Sequence, residues 1–265
     1  MTFPANYWPL RRRLLRRGAE RVLIAPLWPA DWLAAAVVGM GPVMSTTRKA
    51  IGRAYRAAGN RPIIVVGHSG GGIAGRLAMS PVPFYGRRGG AAEEVACLVT
   101  LGTPHALAEL PNRYHHAGHE ATAFLDRESP GAWFAPRTAY LSVGSTYPMA
   151  GFPGILGRAV REVFTVIVGD DAAGVGDGIV PFSVVHLAGA TQLTFDDARH
   201  GHIGAKWYGS DAIVDRWWPT AVGLWRGALE ARAGSGAADG ADRPAVAGPG
   251  ELAGARTQGT SRGRR

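Results

Sequence analysis

Four consecutive β-branched residues, Ile63-Ile64-Val65-Val66, run straight into Gly67-His68-Ser69-Gly70-Gly71, and a helix-forming stretch follows from Gly72. An unbroken run of this kind fits a strand covered on both faces, because alternation would mark a strand with one face in water. Similar runs recur at Val22–Ala25, Val95–Leu101, Ala139–Val143, Val163–Val168 and Gln192–Phe195. Between them lie helical patterns at Trp32–Val38, Thr46–Ala58, Ile73–Met79 and Asp211–Leu229. Strand alternating with helix predicts an α/β fold with a mostly parallel central sheet and helices on both faces. Ligands of such sheets sit beyond the carboxyl ends of the strands, so functional residues are expected there.

With 265 residues and 46% apolar content, the chain has ample material for a core. Its longest apolar run, Leu33–Met44, contains glycine and is too short to span a bilayer. The net charge of +9 is concentrated at the ends. Residues 1–21 carry six arginines against Glu20, and residues 233–265 carry five against three acids. The balance is therefore no nucleic-acid signature. We read residues 1–18 as a basic, solvated, half-helical lead, with Arg11–Arg17 able to touch an anionic membrane face weakly. Residues 19–232 are expected to form the folded domain. The Gly/Ala-rich residues 233–265 contain no aromatic residue and read as a disordered tail. Cys97 is the single cysteine, which excludes an intramolecular disulfide; it sits in an apolar run as a small hydrophobe. The twin arginines lack a following apolar stretch, so a cytoplasmic location is expected.

Gly67-x-Ser69-x-Gly71 between strand and helix places a serine on a sharp turn with strained backbone angles and a projecting hydroxyl. Gly67 and Gly71 are expected to be small because a Cβ at either would strike the neighbouring backbone. Gly70, at the helix start, can offer its N–H to an oxyanion. A nucleophilic serine needs a base, and the base an orienting acid, in the chain order Ser, Asp/Glu, His. Acid candidates after the run ending at Val168 are Asp170, Asp171 and Asp177. Base candidates after Phe195 are His200 and His202.

Four patches together resemble the α/β-hydrolase fold, in its lipase- and esterase-like branch of serine hydrolases. They are Gly67-His68-Ser69-Gly70-Gly71, Leu101-Gly102-Thr103-Pro104-His105, Gly176-Asp177-Gly178-Ile179-Val180-Pro181 and Trp207-Tyr208-Gly209-Ser210. The resemblance covers roughly residues 21–230. It implies Ser69 as nucleophile, Asp177 as acid and His200 as base, with His202 the alternative base. It also implies an oxyanion hole from Gly70 and a second amide at Leu27 or Trp28. The branch often carries glycine where this chain has Leu27, and Pro29 has no N–H to give. Trp28 and Trp32 could wall an apolar acyl site or pack helices. In this fold an insertion such as residues 105–138 often forms a small cap. The implied activity is hydrolysis of an apolar carboxylic or lipid ester through an acyl-enzyme, with no cofactor, no metal and no nucleic-acid partner.

Other readings compete for the same residues. Gly70-Gly71-Gly72-Ile73-Ala74-Gly75 also satisfies the G-x-G-x-x-G dinucleotide fingerprint, with Glu93 and Glu94 at ribose-binding distance, but it leaves Ser69, Asp177 and His200 unexplained. A P-loop is excluded because no Lys-Ser or Lys-Thr follows the glycines. His115 and His119 lie one helical turn apart, yet no His-Glu-x-x-His pattern accompanies them. A catalytically inactive binding module of the same fold is the non-enzymatic alternative. His105 and His68 are read as packing residues rather than bases.

Overall fold

The structure, a computed structural model, describes residues 3–109, 113–148, 154–168, 175–202 and 204–241. Its centre is a parallel sheet of β1 (Ile63–His68), β2 (Val95–Leu101), β3 (Ala139–Ser145) and β4 (Thr191–Phe195), in the spatial order β1-β2-β3-β4. The two-residue period of each strand divides its side chains between two cores. Ile63, Val65, Leu98 and Tyr140 face one layer, while Ile64, Val66, Val99, Leu141 and Val143 face the other.

The first layer contains α2 (Pro29–Val38), α3 (Gly41–Ala57), α4 (Gly70–Met79) and α5 (Arg113–Glu128). Eight of the ten residues of α4 are buried, which its small residues allow by letting the helix lie close on the sheet. Gly75 is one such point: a Cβ there would sit 3.1 Å from Leu98. The second layer is formed by α1 (Trp8–Arg16) and α7 (Asp211–Ala241), with Trp217 and Tyr208 fully buried against β2 and β3. The molecule is thus an α/β protein with helices on both faces of a parallel sheet.

Several expectations change. Val22–Ala25 joins no strand ladder and runs past the open edge of β1 with a cavity between them. The Val22 carbonyl accepts from Arg11 Nε at 3.0 Å, and Leu27 N–H turns back onto Ala25 O at 2.9 Å. Val163–Val168 is the end of helix α6 (Gly154–Val168), not a strand. Read from Gly154, the apolar residues Leu156, Val160, Val163, Phe164 and Ile167 fall at helical spacing with Arg158, Arg161 and Glu162 between them. Nor is the basic lead a solvated appendage. Leu10 and Leu14 of α1 are buried, and Arg13, Arg16 and Arg17 pair with Asp211 and Asp215 of α7.

At the other end, α7 continues through residues 233–241, past the expected boundary at Arg232. Residues 242–265 of the expected tail lie outside the described residues. No helix among the described residues is long and apolar enough to cross a membrane.

Candidate active site

Ser69 stands at the turn from β1 into α4 with φ 56° and ψ −133°, a left-handed backbone that is strained for any residue with a side chain. Neighbouring groups impose it. Ser69 N–H donates to Leu101 O at 2.9 Å, and Thr103 Oγ1 donates to Ser69 O at 2.9 Å. A Cβ on Gly67 would lie 2.6 Å from the Gly72 backbone, so only glycine lets the turn close. Gly71 does not share that role, because nothing stands within 4 Å of its Cβ position. The second crowded glycine is Gly72, pressed against the Thr103 side chain.

Asp177 and His200 meet beyond the carboxyl ends of the strands. The imidazole Nδ1–H of His200 donates to Asp177 Oδ2 at 2.8 Å, and Tyr208 OH donates to the same oxygen at 3.1 Å. Oδ1 accepts from the N–H groups of Ile179 (3.0 Å) and Val180 (2.8 Å). Asp177 is 2% exposed, so these four donors replace the water it has lost. His200 N–H also donates to Asp177 O at 2.9 Å, tying the two loops together through the main chain. A proton held on Nδ1 leaves Nε2 as the basic nitrogen. Gly102, with φ +52°, provides the space: a Cβ there would fall 2.7 Å from the Tyr208 ring and 3.2 Å from His200 Nδ1, and would overlap Asp177 Oδ2.

Asp177 lies beside the end of β3. Pro148 and Gly176 form a parallel bridge, and Gly176 N–H donates to Tyr147 O at 3.1 Å. The chain leaves the end of β3, makes the excursion that contains α6, and returns beside its departure point. The sequence places Asp177 after a strand at Val163–Val168 because that excursion separates it from β3 along the chain. Asp170 and Asp171, the other acid candidates, lie outside the described residues.

Ser69, Gly70, His200 and Leu27 line one elongated cavity of about 1380 Å³. Trp32 lines it too, its ring 3.0 Å from where a Gly70 Cβ would stand. Trp28 points elsewhere: it is 54% exposed and meets Phe3 edge-on. The insertion at 105–138 contains helix α5, built into the first layer through Ala117, Ala121 and Leu125, with Leu107 and Gly118 forming cavity wall. Ile167 of α6 adds a further piece of wall. Among the described residues no hydrogen bond joins Ser69 Oγ to His200.

The two amides nominated as the second oxyanion donor are already engaged, Leu27 N–H by Ala25 O (2.9 Å) and Trp28 N–H by Asp31 Oδ2 (2.7 Å). Gly70 N–H, at the first turn of α4, has no acceptor among the described residues, nor has Gly71 N–H.

His202 is not paired with Asp177. It is packed edge-on against Tyr7 and His68, and burial together with the nearby His200 lowers its pKa to about 4. His105 lies 3.2 Å from Thr100 Oγ1, buried, with its pKa lowered to about 3 by desolvation first and by Arg76 and His186 next. His119 is held by Leu107 O at 2.8 Å and His116 by Glu120 at 3.1 Å; the side chain of His115 lies outside the described residues. The glycines of the dinucleotide fingerprint, Gly70 to Gly75, are all inside α4 instead of forming a loop before it.

Sequence reasoning missed Tyr7, whose hydroxyl shares a 3.0 Å hydrogen bond with His68 Nδ1. No pattern within residues 1–18 signals that contact. Tyr208 was visible as part of a patch, but not as a donor to Asp177. Compared with known proteins, the chain matches no family model and no curated protein.

Proposed function

We propose that this protein is a serine hydrolase of the α/β-hydrolase kind that cleaves an apolar carboxylic ester. The observation that carries the reading is the buried His200–Asp177 pair at 2.8 Å, whose histidine lines the same cavity as a serine held at φ 56°. Supporting it, the nucleophile follows β1, the acid returns to the end of β3 and the base follows β4.

In this mechanism His200 Nε2 takes the Ser69 proton as Oγ attacks the ester carbonyl. Asp177 holds the ring and stabilises the imidazolium, while Gly70 N–H stabilises the oxyanion. Collapse of the tetrahedral intermediate expels the alcohol, protonated by His200, and leaves an acyl-Ser69. A water activated by His200 then releases the acid and restores the serine. The cavity walls of Leu27, Trp32, Leu107 and Ile167 suit an acyl chain, since apolar surface there removes it from water.

Turnover of p-nitrophenyl esters tests the assignment. His200→Ala is expected to lower kcat by about 10⁴-fold, whereas His202→Ala retains most activity; the reverse result would reassign the base.

One observation favours the inactive binding module: both Leu27 and Trp28 amides are occupied, so the loop expected to give the second oxyanion donor offers none. An apolar ester that binds wild type and Ser69→Ala equally, without turnover by either, would establish that reading.

A further inference from the structure

The N-terminal helix reaches the triad. Tyr7 ends a 3₁₀ turn (Pro4–Tyr7) that leads directly into α1, and its hydroxyl hydrogen-bonds His68 Nδ1 at 3.0 Å. The His68 ring lies 4.5 Å from the His200 ring, centroid to centroid, at an interplanar angle of 39°. Tyr7 also meets His202 edge-on at 5.0 Å, and His202 meets His68 at the same distance. Three imidazoles and a phenol are therefore packed in the second layer beside Asp177, where apolar side chains would fill the space at less desolvation cost.

The helix that carries Tyr7 is fixed to the segment that serves the acid. Arg13 donates to Gly209 O at 2.8 Å, one residue from Tyr208, and to Asp211 at 2.9 Å. Arg17 pairs with Asp215 at 2.6 Å, and Trp218 Nε1 donates to Arg17 O at 3.2 Å. Leu10 and Leu14 bury the apolar stripe between these contacts.

We propose that Tyr7 and His68 are positioning residues for the base: the Tyr7 hydroxyl fixes the His68 ring, and that ring, packed at a tilt against His200, holds its imidazole in line with Asp177 and Ser69. The inference rests on the serine-hydrolase reading above. A buried hydrogen bond between polar groups specifies an orientation that apolar packing does not. His200 has its acid on one edge, and one hydrogen bond does not by itself fix the tilt of the ring; His68, 4.5 Å away between centroids, limits that tilt. Burial first, and the neighbouring His200 and His202 next, lower the pKa of His68 well below the ordinary histidine value, against a smaller opposing pull from the His200 main chain, which disfavours a second cation beside the imidazolium formed in the reaction.

The test compares wild type, Ser69→Ala, Tyr7→Phe, His68→Phe and the Tyr7→Phe/His68→Phe double variant in p-nitrophenyl ester turnover, with thermal melting of each. Tyr7→Phe deletes one oxygen and keeps the ring, so folding is preserved. It is expected to lower kcat by about 10-fold with KM changed less than about twofold, since a misaligned base weakens the transition state and not substrate binding. His68→Phe keeps a ring against His200 and is expected to match it. The double variant should lose no more than either single one, because both remove the same hydrogen bond. Losses that multiply, a change in KM instead of kcat, or an unchanged kcat in Tyr7→Phe would overturn the positioning role while leaving the triad standing. Equal turnover by Ser69→Ala and wild type would overturn the serine-hydrolase reading and this inference with it.

Discussion

Asp177 is legible at the residue scale from its flanking glycines and the apolar Ile179-Val180-Pro181, but its full complement of four donors is not. Tyr208 contributes one of the four, and burial beside Asp177 raises its pKa so that the hydroxyl stays a donor. Tyr208→Phe is expected to lower kcat by about fivefold, the equivalent of roughly 1 kcal/mol for one hydrogen bond. Gly102→Ala should be much more damaging, because its Cβ would occupy the space of the Asp177–His200 pair in a backbone with φ +52°. A kcat loss of about 10²-fold or more is expected from displacing the acid by an ångström. Steady-state kinetics with circular dichroism as a folding control checks both. The requirement at Gly67 was readable from the motif, whereas the exchange of Gly71 for Gly72 as the crowded position depends on Thr103, which lies on a different strand end.

Local pattern sufficed at the element scale wherever a strand was flanked by its own helix. The runs Ile63–Val66, Val95–Leu101, Ala139–Val143 and Gln192–Phe195 all fall within β1, β2, β3 and β4. It failed at Val163–Val168, where six apolar or β-branched residues conceal a helical period that only the preceding turns reveal. Val22–Ala25 has strand composition, yet the Val22 carbonyl is bonded to Arg11 instead of to β1. The docking of α1 was invisible for a different reason. Its charges are complementary to Asp211 and Asp215, nearly 200 positions away, and no local signal reports that distance. Leu14→Ala is expected to destabilise the protein by about 2–4 kcal/mol through the lost methyl groups and the cavity left behind. Asp211→Asn should loosen the same helix with little effect on the sheet. Faster hydrogen exchange at Leu10–Leu14 than at Leu98–Leu101 is the expected result, and equal acceleration of both would contradict it.

For the whole molecule, buried and half-buried imidazoles make stability depend on acidity. In the unfolded chain these rings take a proton near pH 6.5, but in the folded protein His202 stays neutral to about pH 4 and His105 to about pH 3. Between pH 6.5 and about 4 the unfolded state therefore binds more protons, and stability falls as pH falls. Urea midpoints are expected to decline steadily from pH 7 to pH 4. His105→Gln should flatten that decline by up to about 1.4 kcal/mol per pH unit, the value for one proton. The parallel sheet with helices on both faces was readable from alternation alone; the cavity along the open edge of β1 was not, because it arises from a segment that fails to pair. That cavity brings Ser69 and His200 to one surface, and the catalytic claim is tested most directly there. Peptide mapping by mass spectrometry after treatment with a fluorophosphonate probe should find the adduct on Ser69 in wild type, and none in Ser69→Ala or His200→Ala. Labelling of Ser69→Ala at the wild-type rate, or an adduct mapped to another residue, would contradict the account.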